Sequence, residues 1–301
     1  MNIAVGYSKD KLATRAVCGA FTKGVKAHGD TLTKIKTVTD LNKKDYDAAL
    51  QYGEWNGGIN KVRKAIHNLC KDHRTRKIIA DLGLILTDRA SANTNLDRYT
   101  YVGYDKFKGE ANCYNEGSPS DRWDKLVKKG AEIKPWRKDG DHIVVFGQRA
   151  DAASTKHCNY FNWLKKTLLN IRKYTDRPII FRSHPITRLE DVPSIGIDNF
   201  LVSKFKNKSM EDILKGAWCS VTRTSNAGVD SILNGVPVVC PDPVCVAYDL
   251  CTHDIKDIDN PETPEREQFF YNLAYAQWSI PEIEKGDCWG HLRSHCIENI
   301  K

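Results

Sequence analysis

The chain has 301 residues, of which 41% are hydrophobic and 28% charged, with a formal net charge of +8. This composition fits a soluble globular protein of one large or two modest domains, and no apolar run is long enough to span a bilayer. The ten cysteines are scattered without a C-x-x-C, and Cys219 and Cys240 fall in apparent core strands. Reduced thiols in a cytoplasmic protein are therefore expected, not a secreted disulfide scaffold.

Ile3 to Tyr7 reads as a first core strand, and the opening lacks the basic and apolar sections of a signal peptide. A helix follows from about Lys11 to His28. Ile35 to Val38 and Ala48 to Tyr52 are further strands, Ile59 to Lys71 is an amphipathic helix, and Lys77 to Asp81 is another buried strand. Strands separated by helices predict a parallel sheet whose ligands sit beyond the carboxyl ends of its strands. That rule selects Tyr7, Ser8, the loop from Gly53 through Glu54 and Trp55 to Gly58, and Asp81. Carboxylates at such ends can act as general bases or cap the next helix. From Leu84 to Gly117 the alternation weakens into an irregular stretch carrying Asp88, Arg89, Tyr99, Tyr101 and Tyr104, of a kind that is often functional. Ser118 to Trp123 starts a helix, with Pro119 near its first position. Lys134 to Asp141, polar and containing Pro and Gly, reads as an interdomain linker.

A second alternating series follows. His142 to Phe146 is a strand ending at Gly147-Gln148, with Asp151 and Ser154 in the loop beyond. Phe161 to Tyr174 is a helix, and Pro178 to Arg182 is a strand running into Ser183-His184-Pro185. Phe200 to Ser203 is a short strand and Met210 to Gly216 a short helix. The stretch Trp218 to Asp242 reads as strand, polar turn, helix and strand. Thr224 and Ser225 stand at its helix start, Ala227 and Gly228 leave the first turn without bulk, and Gly235 closes it. A helix start with uncommitted N–H groups suits a phosphate. Gln148, Ser154, Arg182, His184, Thr224, Ser225, Asn226 and Asp230 therefore mark a nucleotide-diphosphate site, and Asp242 and Asp249 are placed to hold sugar hydroxyls. Arg266 to Trp278 and Ile280 to Ile300 read as closing helices. Cys288, His291 and His295 would share a helical face, with Cys296 next, but such faces are common without a metal and none is expected there.

The positive charge is concentrated. Lys61, Arg63, Lys64, Lys71, Arg74, Arg76 and Lys77 are relieved only by Asp72, and Lys125, Lys128, Lys129, Lys134, Arg137 and Lys138 form a second group. Such runs are usually a solvated face, yet two of them in one half point toward a polyanionic partner, nucleic acid first.

The strand end R-S-H-P (Arg182 to Pro185) followed by T-S-N-A-G-V-D-S-I-L-N-G-V-P-V-V (Thr224 to Val239) resembles the donor half of GT-B-fold glycosyltransferases. With Gly147-Gln148, D-A-A-S (Asp151 to Ser154) and A-Y-A-Q-W (Ala274 to Trp278), the pattern is similar to bacteriophage-encoded glycosyltransferases over roughly residues 118 to 290. The resemblance implies two Rossmann-like doubly wound α/β domains facing a cleft. Residues 1–138 would bind the acceptor, residues 139–265 a nucleotide-sugar, UDP-linked in the first instance, and residues 266–301 would return to the first domain. It implies leaving-group stabilisation by Arg182, His184 and the helix start at Ser225 and Asn226. It also implies chemistry that needs no metal, with Mg²⁺ or Mn²⁺ admitted as an auxiliary. For the base that activates the acceptor hydroxyl the candidates are Asp81, Glu54 and Asp88, in that order. Joined to the charge, the resemblance leads to sugar transfer onto a 5-hydroxymethylpyrimidine in double-stranded phage DNA, in the host cytoplasm. The DNA would be held by Lys61, Arg63, Lys64, Arg74, Arg76 and Arg89, with Trp55, Tyr99, Tyr101 and Tyr104 as stacking platforms for an extruded base. The alternatives are a capsule or lipopolysaccharide transferase, a nucleotide-sugar epimerase, and a non-catalytic nucleic-acid-binding protein on the same fold.

Overall fold

The computed structural model describes the chain except for residues 8–11, 42–44, 55–59, 72–73, 87–98, 156–157, 185–195, 204–208 and 299–301. It divides into two compact units. The first comprises Met1–Phe107, Ala111–Ala131 and Gln268–Lys301; the second comprises Lys108–Glu110 and Glu132–Glu267.

In the first unit the strands are β1 (Asn2–Gly6), β2 (Thr31–Ile35), β3 (Ala48–Tyr52), β4 (Arg76–Leu82) and β5 (Tyr99–Tyr104), with helices α1 (Leu12–Ala27) and α2 (Lys61–Leu69). Alternate side chains go to opposite faces, as a pleated strand requires. Ile3, Val5, Leu50, Ile78 and Val102 pack with Val17, Phe21 and Val25 of α1. Ala4, Ala49 and Ile35 pack with Ile66 of α2. Strands β2, β1, β3 and β4 are parallel neighbours.

Three expectations are corrected here. The second strand lies at Thr31–Ile35, not Ile35–Val38, because Asp40 accepts the N–H groups of Lys36 and Thr37 (both 2.7 Å) and turns the chain. The stretch read as irregular contains β5, which pairs antiparallel with β4. Its tyrosines are core residues: Tyr99 and Tyr101 are 8% exposed and Tyr104 is 0% exposed, so none is a platform for a base. The closing segment is not all helix. After α3 (Asp121–Val127), whose partners come from this segment, and the second unit, the chain returns as α7 (Glu267–Ala276), an edge strand at Gln277–Ser279, α8 (Ile280–Lys285) and α9 (Asp287–Glu298). The edge strand pairs antiparallel with β5, and a left-handed Gly286 (φ 101°) separates α8 from α9. Trp289 and Leu292 of α9 complete the core under α1.

The second unit holds β6 (His142–Phe146), β7 (Ile179–Arg182), β8 (Phe200–Ser203), β9 (Ala217–Val221) and β10 (Val238–Val239), with α4 (Tyr160–Ile171), α5 (Met210–Leu214) and α6 (Ala227–Leu233). The edge strand Gln277–Ser279 of the first unit is β11. The second sheet is parallel throughout, in the order β10-β9-β6-β7-β8. Ile143, Val145, Phe181 and Val221 face α4, whereas Val144, Phe146 and Ala227 pack with Ile213 and Val236. The stretch expected as a linker is bound into this unit. Lys134 N donates to Leu233 O and Arg137 N to Gly235 O (both 2.8 Å), and the Arg266 guanidinium lies 3.8 Å from the Trp136 ring centre.

Candidate functional site

The carboxyl ends of β6, β7 and β9 lie side by side in the parallel sheet, where such folds bind ligands. Gly147 follows β6 and its N–H reaches Arg182 O (2.8 Å); a Cβ there would lie 3.0 Å from Arg182 O and 3.1 Å from His184 N, so only glycine lets the two strand ends approach. Gln148 is 6% exposed and clamps the turn after β9: its Nε2 donates to Thr224 Oγ1 (2.7 Å) and its Oε1 accepts Thr224 N–H (2.9 Å). Gln148 and Thr224 therefore shape the site by binding each other.

The helix start differs from the expected anion cradle. Ser225 N donates to Thr222 Oγ1 (3.2 Å), Ala227 N to Ser225 Oγ (3.2 Å) and Gly228 N to Ser225 O (3.1 Å). A Cβ on Gly228 would meet Ala247, Thr222 and Cys245 at ordinary contact distances, so the space beside it is filled by the protein's own loop. Asn226, at the N-cap, is half-buried, and its carbonyl accepts from Val229 N (3.0 Å). The N–H groups of Ser225, Ala227 and Gly228 are thus committed within the protein.

Arg182 is likewise committed. It is 5% exposed, its Nη1 donates to Ser209 O (2.7 Å), and burial lowers its pKa against the opposing pull of Asp230 and Asp212. It fixes the start of α5 to β7. Asp242 pairs with Arg223 (2.6 Å) and accepts Val244 N–H (3.0 Å), while Arg223 also donates to Ser154 O (2.7 Å). Asp249, further along the same loop, is exposed.

Sequence reasoning missed three cations here. Arg149 and Arg223 adjoin Gln148 and Thr224, a neighbourhood that marked them. Arg149 is exposed and forks onto Asp151 (2.9 and 2.6 Å). Lys108 carried no signal. It has a left-handed backbone (φ 57°), its Nζ donates to Thr224 O (3.1 Å), and the next N–H, of Gly109, reaches Val244 O (3.1 Å). A Cβ on Gly109 would fall 2.4 Å from Cys245 O, so glycine is what lets the backbone carrying Lys108 lie against that loop.

His184 stands near Lys108, Arg149 and Asp151. Burial, with Arg149 and Lys108 nearby, pushes its pKa down to about 4, against the opposing pull of Asp151. At neutral pH it is an uncharged hydrogen-bonding group, not the fixed positive charge expected from sequence. An anion bound beside it raises that pKa, so binding takes up a proton. Affinity for a nucleoside diphosphate should therefore increase as pH falls from 7 toward 5, and His184→Gln should flatten the slope in calorimetric titrations.

In the first unit the carboxyl ends of β3 and β4 carry Glu54 and Asp81. Glu54 is engaged: Lys77 Nζ lies 2.9 Å from it and His67 Nδ1 3.7 Å, with the Glu54 side chain only 10% exposed. Asp81 is half-buried and interacts electrostatically with Arg63, whose pKa burial lowers. Asp88, Arg89 and Trp55 lie outside the described residues. Of the basic residues assigned to DNA, Lys61, Lys64 and Arg74 are exposed and Arg63 is half-buried. Arg76 is withdrawn from that surface: it is 5% exposed, paired with Asp105 (2.5 Å) and 4.2 Å from the Tyr104 ring centre. On α9, Cys288 is buried in the core, His291 Nε2 donates to Cys113 O (3.0 Å), and His295 stacks on Tyr114 at 4.1 Å. Among the described residues no three His, Cys, Asp or Glu side chains are grouped to hold a metal ion, and no helix is long and apolar enough to cross a membrane.

No protein-family model matches the chain, and no curated protein matches it in sequence. Among solved structures it is similar to KpsC β-Kdo 2,4-transferase of Thermosulfurimonas dismutans, at 10% identity and TM-score 0.55, covering 90% of this chain and 89% of that one. It is also similar to the KpsC β-Kdo 2,7-transferase of the same organism, at 16% identity and TM-score 0.53, covering 95% and 99%. At such identities the likeness concerns the fold. With the two sheets described above, it makes this chain an α/β protein of two Rossmann-like domains, of GT-B type.

Proposed function

We propose that the chain is a glycosyltransferase that takes a nucleotide-sugar donor at the carboxyl ends of β6, β7 and β9. The observation that carries this reading is the placing of Lys108 and Arg149 beside an uncharged His184, with Arg223 following the neighbouring strand β9. Such side chains compensate a diphosphate and the charge that grows on it as the glycosidic bond breaks. A divalent cation is then an auxiliary, and UDP is the first nucleotide to test. The acceptor, carried by the first unit, would lose its hydroxyl proton to Asp81 while its oxygen bonds to the anomeric carbon. The bond from that carbon to the donor's phosphate oxygen breaks, and its electron pair leaves with the nucleoside diphosphate. Lys108→Met should weaken binding of the UDP-sugar about 10- to 100-fold, the loss expected for one charge-assisted hydrogen bond, with the melting temperature of the free protein unchanged.

For the acceptor, the DNA reading keeps the exposed Lys61, Lys64 and Arg74, and gives up Arg76 and the three tyrosines. It places the protein in the cytoplasm of a phage-infected host. A second reading, transfer to a capsule or lipopolysaccharide saccharide, is favoured by the likeness to two Kdo transferases across nearly the whole chain. Label transfer from a panel of UDP-, GDP- and CMP-sugars separates them. The acceptors are hydroxymethylated and unmodified DNA duplexes and capsular oligosaccharides. Label on hydroxymethylated DNA alone establishes the first reading, and label on saccharide alone the second. No label, and no thermal stabilisation by any donor, sinks the glycosyltransferase reading.

A further inference from the structure

We propose that the first unit carries a saccharide-binding groove of its own, distinct from the strand ends assigned above, formed where α3, the end of α7, α8 and α9 meet the end of α1. It extends the glycosyltransferase reading by giving a saccharide chain a second hold, but its chemistry does not depend on that reading. The groove has a volume of 430 Å³, within the roughly 300–1,000 Å³ typical of small-molecule sites. Asp121, Lys125, Tyr275, Asp287, His291 and His28 line it.

The polar lining suits hydroxyl groups. His28 Nε2 lies 2.9 Å from Gly286 O, and His291 Nε2 lies 3.0 Å from Cys113 O. A carbonyl only accepts, so each ring holds its proton on Nε2 and offers Nδ1 as an acceptor when neutral. Burial keeps His291 in that neutral form at pH 7. Asp121 accepts the Tyr275 hydroxyl through Oδ1 (2.7 Å), with its second oxygen still able to accept. Lys125 supplies donors. Carbohydrate hydroxyls, each both donor and acceptor, match this mixture.

The aromatic lining suits the C–H faces of a sugar ring. Tyr275, half-buried and 5.8 Å from the His291 ring centre to centre, is the aromatic side chain available to pack against a pyranose, whereas Trp278 is 3% exposed and lies beneath Arg122. Other ligand classes fit less well. Arg122 is bound to Glu282, Ala274 O and Gln277 O, and Asp287 lies 3.6 Å from Lys285. No cluster of uncompensated positive charge remains to select a phosphate. Among the described residues no metal-ligand group is present either. A neutral polyhydroxylated ligand is what the balance of charge and hydrogen-bonding groups selects.

The test is saturation-transfer NMR on the full chain with maltotriose, chitotriose and trigalacturonic acid, beside a UDP titration. Binding of maltotriose or chitotriose is expected, weakened about tenfold by His28→Ala and by Asp121→Asn, as for the loss of one hydrogen bond. Both residues are exposed, and unchanged melting temperatures check that the variants fold. The groove is overturned if neither neutral trisaccharide binds, if only the acidic one does, or if both variants bind like the parent. A response to UDP without saccharide binding removes the groove and leaves the donor site. Saccharide binding without any nucleotide response does the reverse.

Discussion

Replacing Asp81 by Asn should lower sugar transfer about 10²- to 10⁴-fold, the range expected when a general base is removed, while donor affinity and melting temperature stay as in the parent. The side chain stands at the carboxyl end of β4, the edge of the sheet at which this class of fold does its chemistry. Its competitor Glu54 is held by Lys77 at 2.9 Å in a pair whose side chains are 14% and 10% exposed. Glu54→Gln should therefore act on stability: it strips a largely buried Lys77 of its counter-charge, a loss of about 3 kcal/mol. Single-turnover transfer and thermal melting on the two variants separate the roles. A parental rate in Asp81→Asn moves the base elsewhere, with Asp88 next to be tested.

The two sheets were legible because their strands are short apolar runs between helices of clear period. The residues that build the loops after β6, β7 and β9 were legible because they adjoin those strand ends. Two kinds of information were not. β5 is a strand of tyrosine, threonine and glycine whose pairing with β4 and β11 is non-local, so its composition resembles a polar loop until its partners are known. Arg182, Gln148 and Thr224 look in sequence like phosphate ligands because polar residues at strand ends have two uses, and only in the fold do these three find their protein partners. Lys108 shows the converse. It belongs to a three-residue piece of the second unit embedded in sequence that otherwise folds with the first, and nothing in K-G-E announces that placement. Charge counting failed at Arg76 for a related reason: a guanidinium satisfied by Asp105 and packed on Tyr104 contributes to net charge but not to a binding face.

The A-Y-A-Q-W motif of the closing segment, part of the glycosyltransferase resemblance, turns out to organise the fold, and its partner Arg122 should be the most costly charged residue to remove. Arg122 is 9% exposed. Its Nε donates to Ala274 O, Nη1 to Glu282 Oε1 and Nη2 to Gln277 O, each at 2.9 Å, and its plane lies 4.0 Å from the Trp278 ring centre. Gln277 in turn is wholly buried, and its Oε1 accepts the N–H groups of Leu84 (2.9 Å) and Ile85 (3.0 Å) beyond β4. One guanidinium thus joins α3, the end of α7, β11 and α8. Arg122→Leu would take the guanidinium donors from two carbonyls and the counter-charge from the partly buried Glu282, and should lower unfolding free energy by about 3–5 kcal/mol. Arg122→Lys should recover little, since an ammonium cannot reproduce the planar fork. The loss should depend on pH with a definite sign. Burial raises the Glu282 pKa, but hydrogen bonds from Arg122 and Ser279 outweigh it and leave it below the usual glutamate value. A depressed folded-state pKa stabilises above the unfolded value and is lost as pH falls through the folded one. The parent and Arg122→Leu should therefore converge in stability on acidification, and Glu282→Gln should remove that convergence. Chemical denaturation of the three proteins between pH 7 and pH 3 measures this, and a gap that stays constant across the range would show that Arg122 acts by packing alone.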